Sequence, residues 1–246
     1  MDAGSAALLA GAGFGAGVVN AVAGGGSLIS FPALLAAGYP SITANVTNAI
    51  AVLPGYVGGS LAYRRELAGQ GARVRALAMT SAAGAAVGAA LLLVSPARVF
   101  EALVPWLILA ACGLLAVQPR AAAAIRRRRA RSPLVLHGIL FVATVYGGYF
   151  GAGLGIMLLA ILGVFVDDGL QRLNALKGVL SLLVALVTAV GFALFGPVAW
   201  DAAAIVGVTC LAGGAAGVGA ARRLPAPVLR SLVIAYGVSV AIALLV

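Results

Sequence analysis

The side chains in this chain that could do chemistry are few, and they recur. Asn45 and Asn48 stand three residues apart in TANVTNAI, so on a helix they share a face. Asn174 and Lys177 repeat that spacing after a shift of 129 residues, and the same shift sets Gly24 on Gly153 and Gly26 on Gly155. Both glycine groups interrupt apolar runs. The first lies in GAGFGAGVVNAVAGGGSLISFPALL, Gly11 to Leu35, with Asn20 before Gly24, Gly25 and Gly26, and Ser27 after them. A glycine break inside an apolar helix exposes backbone N–H groups at the start of the returning helix, and with the helix dipole these form an anion site. Ser27 suits an N-cap or a direct hydroxyl donor, and Asn20 is placed to line the same cavity. Lys177 is the single lysine among 16 basic residues and lies about one and a half turns into an apolar span. A charge there is costly and functional by default, here as the counter-charge of an anion. The competing readings are structural. Glycines also permit close helix packing, the role expected of Gly84/Gly88 and Gly213/Gly217. Asparagines also bond between helices, and a lysine near a helix end also snorkels to the interface.

Enzyme chemistry finds little support. His137 is the sole histidine and stands at a helix start beside a basic stretch, an interfacial position. The serine of GGGS has no histidine partner of the kind a membrane hydrolase needs, so that function is only a remote alternative. Asp167, Asp168 and Asp201 lie at loop edges, and no Asp or Glu falls mid-span, so no carboxylate proton relay is visible. Cys112 and Cys210 lie in apolar runs and read as small core residues. No metal site or cofactor is expected.

The elements that must position these residues are membrane helices. Of 246 residues, 63% are hydrophobic and 9% charged, and the mean hydropathy is +1.14. Successive apolar runs of this length are spans. A barrel would instead show short alternating strands. The net charge of +10 does not indicate nucleic acid, because the arginines sit in short loops between apolar runs, where the positive-inside rule places them. The N-terminus lacks a basic n-region, so a cleaved signal peptide is not expected.

Apolar segments fall at roughly 5–22, 28–38, 45–63, 75–94, 99–117, 135–149, 155–166, 172–194, 201–220 and 229–246. The arginines of 64–75, of 120–131 and of 222–230 should be cytoplasmic, and the loops at Ser95-Pro96 and Phe195 to Asp201 should face outward. Two stretches are too short to span fully and are glycine-broken: 5–38 and 134–171. Each reads as a re-entrant or partly spanning hairpin, tolerated where protein or a water-filled cavity surrounds it. The expected fold is all-α and polytopic, with two inverted repeats, each a broken hairpin followed by three transmembrane helices. Residues 1–118 form the first, 119–133 a basic cytoplasmic linker, and 134–246 the second. Glycine-interrupted helices at matching positions of inverted halves are the pattern of secondary transporters. Localisation in the cytoplasmic membrane, with both termini outside, follows.

The first half resembles the sulfite exporter TauE/SafE family of permeases. The likeness is carried by Asn20, Gly24 to Ser27, Pro32, Leu34, Ala44-Asn45, Thr47-Asn48, Gly59 and Tyr63-Arg64. YGGYFGAGLGIMLLAIL through NALKGVLSLL is similar to the second repeat of that family. The resemblance implies a permease for small anions, often sulfite or organosulfonates, and commonly an exporter. It carries the binding role to Gly24, Gly25, Gly26, Ser27, Asn45 and Asn48, and in the second half to Gly153, Gly155, Asn174 and Lys177. The partners expected are a small anionic substrate and the bilayer, with anionic lipid at Arg126–Arg131, no nucleic acid, and a homodimer permitted. The alternatives are an anion channel or a permease for small carboxylates.

Overall fold

The computed structural model describes residues 1–22, 25–124, 132–220 and 226–245. Gly24, the arginines of 126–131, and Arg222 and Arg223 lie outside the described residues. Among those described there are helices and no strands. In chain order they are α1 (Ala3–Val22), α2 (Ser27–Ala36), α3 (Ser41–Ala51), α4 (Leu53–Ala62), α5 (Gly71–Val94), α6 (Ala97–Ala124), α7 (Pro133–Tyr149), α8 (Leu154–Phe165), α9 (Leu170–Phe195), α10 (Trp200–Ala220) and α11 (Ala226–Ala243). Among the described residues, four segments are long and apolar enough to cross a bilayer: Ala3–Asn20, Gly71–Val94, Ala97–Val117 and Leu170–Phe195. Large apolar side chains such as Met79, Val94, Trp106 and Leu194 face outward along them, as lipid-facing surface does.

One expected span is two helices. The run 45–63 breaks at Val52, between α3 and α4. Pro54 is the reason: it has no N–H to continue the ladder, and its ring clashes with the carbonyl four residues back, that of Ile50. The Val52 N–H, the cap of α3, makes that helix's last bond, to the Asn48 carbonyl at 3.0 Å. A second difference is the length of α6, which runs on through Pro119 to Ala124, into the stretch expected as linker.

Contacts between chain-distant residues define the two ends of the bundle. At one end the Tyr39 hydroxyl meets Met1 Sδ, and the Ser41 hydroxyl donates to Glu101 Oε1 at 3.3 Å. The hairpin α1/α2 therefore starts and finishes at that end. At the other end Asp168, just after α8, pairs with Arg73 at the start of α5 and with Arg172 at the start of α9. The Gln70 side-chain amide there donates to the carbonyls of Glu66 and Arg172. The hairpin α7/α8 finishes at this second end, and near its start His137 Nδ1 lies 2.7 Å from Thr80 Oγ1 of α5.

Two helix pairs carry much of the packing: α1 along α10, and α5 along α7. Both depend on glycine. A Cβ on Gly88 would overlap the Val145 carbonyl, and one on Gly17 the Cys210 carbonyl. Backbones this close are how helices associate in lipid, where no hydrophobic effect draws them together. Gly84 and Gly213 make equally tight approaches, to Thr144 and Phe14, in the packing role expected of them.

Candidate functional site

A partly open cavity of about 30 Å³ lies where both hairpin tips meet the α3/α4 junction and α9. At roughly 10–15 Å³ per water, that is room for about two waters. Its polar lining is Ser27 at the start of α2, Asn48 of α3, Tyr56 of α4, and Ser181 and Thr188 of α9. Val52, Phe150, Leu154 and Val184 form apolar walls, and Gly147 and Gly151 bring the second break to its edge. No carboxylate lines it among the described residues. A larger groove of about 460 Å³ between α6, α7 and α8 is walled by apolar side chains such as Ile139, Val142 and Met157, and offers a polar ligand no donor.

The first break is held by its own asparagine. Asn20 Oδ1 accepts the N–H groups of Gly25 and Gly26, at 3.2 and 2.7 Å. These two amides, expected to be open for an anion, are therefore spent within the protein. Ser27 does not cap α2 either: the N-cap is Gly26, in the right-handed region, with no side-chain cap bond. Ser27 is the first helical residue and faces the cavity. Gly25 has φ +114° and points its α-carbon at Leu115 of α6, a conformation L-residues avoid.

The second break closes differently. Gly151 and Gly153 take φ of +80° and +76°, and the Tyr146 hydroxyl donates to the Ala152 carbonyl at 2.7 Å. Gly153 abuts Ala111 and Leu114 of α6 rather than the cavity. Gly155 stands in the first turn of α8, where a Cβ would lie 3.8 Å from Lys177 Cδ and 4.0 Å from Ser181 Oγ. Lys177 thus lies along Gly155, one helical turn from Ser181 at the cavity edge.

The polar face of α3 divides its work. The Asn45 amide nitrogen donates to the Tyr149 carbonyl at 2.9 Å, satisfying the open end of α7. Thr47 Oγ1 accepts the Ala199 N–H at 3.0 Å ahead of α10. Asn48 Oδ1 accepts from the buried Ser30 hydroxyl at 2.5 Å, and Asn48 also lines the cavity. Asn45 therefore binds protein while Asn48 lines the cavity, although both share one helix face. Asn174 sits half-buried on α9, one turn before Lys177.

Of the residues singled out from sequence, Ser27 and Asn48 line the cavity, and Gly155 and Lys177 pack together next to its lining residue Ser181. Asn20, Gly25, Gly26, Asn45 and Gly153 shape the frame around it. Ser181 and Thr188 are cavity residues that sequence reasoning passed over. A signal was present: Lys177, Ser181, Val184 and Thr188 fall on one helical stripe of an otherwise apolar span. The cysteines are free and buried. Among the described residues no three His, Cys, Asp or Glu side chains cluster as metal ligands do.

A helical bundle with lipid-facing flanks, two broken hairpins and a small polar cavity between them defines a polytopic membrane protein. Residues 9–244 match the family described as sulfite exporter TauE/SafE. The chain belongs to that family and is a multi-pass membrane transporter. It is 28% identical over 235 residues to a Sinorhizobium sp. protein named "Probable membrane transporter protein ORF9", covering 95% of this chain and 90% of that one. It is 29% identical over 203 residues to a Haemophilus influenzae protein named "Probable membrane transporter protein", covering 82% and 77%. Relatives named as transporters accord with a transporter rather than an enzyme. No solved structure matches.

Proposed function

We propose that this protein is a secondary transporter carrying sulfite, or a related sulfur-containing anion such as an organosulfonate, across the cytoplasmic membrane. The observation that carries the reading is the cavity: four hydroxyls and an amide line it, no described carboxylate does, and the side chain of the sole lysine packs at Gly155, next to the lining residue Ser181. Such a donor-rich, carboxylate-free site favours an anion over a cation. The family description names sulfite, and a three-oxygen anion is small enough to be held by so few donors.

The reading includes two inverted repeats, 1–118 and 134–246, joined by 119–133. In its support, the hairpin α1/α2 returns to the Met1 end while α7/α8 returns to the Asp168 end. The pair α1 with α10 corresponds under the 129-residue shift to the pair α7 with α5. On this reading α3/α4 and α9 are equivalent helices crossing at the cavity, and rocking one half against the other opens it to each side in turn. Both termini lie outside, and the Arg73/Asp168 end faces the cytoplasm.

The test is an anion panel on purified protein in detergent, read as thermal stabilisation: sulfite, sulfate, thiosulfate, sulfoacetate, small carboxylates and chloride. A ligand at about 100 times its dissociation constant adds about 2.7 kcal/mol. A shift with sulfite that weakens in Lys177→Met supports the site. Stabilisation by carboxylates alone replaces the substrate class, and no stabilisation by any anion overturns the reading. Saturable counterflow in vesicles separates a carrier from a channel, which would give single-channel currents.

A further inference from the structure

Ser181 and Thr188 combine two conditions that Ser60 and Ser81, also buried and unpaired, do not. They are 2% and 3% exposed, both line the cavity, and neither hydroxyl has a hydrogen-bond partner. A buried hydroxyl on a helix ordinarily bonds the carbonyl three or four residues back. Thr144 does so, to Leu140 and Phe141, and Thr209 does so, to Ile205 and Val206. The two α9 residues instead line the cavity with their hydroxyls buried and unpaired, a costly arrangement unless something else completes them.

Opposite them, Asn48 has its polarity set. The Ser30 hydroxyl, fully buried, has one proton and two acceptors in reach: Asn48 Oδ1 at 2.5 Å and the Gly26 carbonyl at 3.3 Å. The shorter bond takes the proton. With Oδ1 occupied, Asn48 presents its NH2 to the cavity, so α3 and α9 offer donors from both sides.

Resting on the proposed anion reading, we propose that Ser181 and Thr188 of α9 are substrate-binding donors that grip the oxyanion against Asn48, and that Ser30 is the positioning residue that turns the Asn48 amide to donate. The site then selects anions with several hydrogen-bond-accepting oxygens over halides of like charge, because three separated donors need three acceptor atoms. The Ser30–Asn48 bond also ties the first hairpin to α3, so tilting that hairpin releases the amide and weakens the grip.

The experiment measures sulfite and chloride affinity, together with the melting point of ligand-free protein, for the wild type, Ser181→Ala, Thr188→Val, the double variant, Ser30→Ala and Asn48→Asp. Each α9 substitution is expected to weaken sulfite binding about tenfold, the loss of one hydrogen bond to a charged group. The ligand-free melting point should hold or rise, because the hydroxyl removed had no partner. Asn48→Asp still accepts from Ser30 but turns a carboxylate oxygen to the cavity, and should abolish sulfite binding in a folded protein. Ser30→Ala should weaken sulfite while leaving weak chloride binding unchanged. Wild-type sulfite affinity in the double variant, or retained affinity in Asn48→Asp, overturns the assignment. A lowered ligand-free melting point in both single α9 variants would mean the hydroxyls have structural partners, and overturns it too. If wild-type protein binds no anion, the functional reading fails first, and the wild-type arm identifies that outcome.

Discussion

Asn20 separates two roles that sequence alone left merged. Its Oδ1 accepts the Gly25 and Gly26 N–H groups, at 3.2 and 2.7 Å. The Asn20 side chain also packs so closely on Gly26 that a Cβ there would lie 2.8 Å from its amide. Asn20→Ala strands both N–H groups in a bundle interior where water is scarce. A buried donor without a partner costs about 1–3 kcal/mol. With one short and one long bond, the sum is about 3 kcal/mol. For a chain of this size each kcal/mol moves the melting point by roughly 2–4 °C, so a fall of about 6–12 °C is expected. Asn20→Asp keeps an acceptor in place and should lose much less. The assay is thermal unfolding in detergent without ligand, with sulfite affinity measured alongside on the folded fraction. A ligand-free melting point unchanged in Asn20→Ala, with sulfite binding lost, would refute the capping argument and return Asn20 to the substrate.

The glycine contacts predict a sharp contrast. Gly17→Ala and Gly88→Ala, whose added methyl would overlap a facing backbone carbonyl, should cost more than about 3 kcal/mol and show as lost monodisperse yield. Gly113→Ala in α6 meets nothing within 4 Å and should gain up to about 1 kcal/mol from helix propensity. Burial pushes the Asp168 carboxyl up, but hydrogen bonds from Arg172, the Gly169 N–H and Arg73 outweigh it and hold the group below the usual carboxylate range. A lowered folded value means this stability is complete above about pH 4 and is lost as pH falls through the folded value. Asp168→Asn should therefore flatten the acid limb of a stability–pH curve and cost about 0.2–1 kcal/mol per ion pair at neutral pH, less in high salt.

Helix positions were legible wherever apolar length and a glycine or proline stop coincided. The runs read at 75–94 and 135–149 became α5 and α7 with their C-terminal stops in place. The run 45–63 hid its break because Leu53, Tyr56 and Val57 keep it apolar through Pro54, and hydropathy weighs side chains, not missing N–H groups. The site was half legible. Lys177 and the asparagines stand out against an apolar background, so their positions drew notice. Which amide serves the protein and which serves the cavity depends on partners more than 100 residues away, such as Tyr149 for Asn45, and no local pattern records them. Ser181 and Thr188 went unnoticed because single hydroxyls are common in membrane helices and usually bond their own backbone.

The bonds made by α3 bear on how the protein is assembled. Asn45 waits for a carbonyl 104 residues later in the chain, and Thr47 for an N–H 152 residues later. When α3 first leaves the ribosome neither partner has been synthesised. Its polar face must stay against water, lipid headgroups or the insertion machinery until α7 and α10 arrive. The first half is thus an unfinished object in the bilayer. Insertion of α3 and closure around its polar face are separate events in time. The two halves expressed as separate polypeptides should then be unstable singly and recover when co-produced, because each holds partners the other lacks.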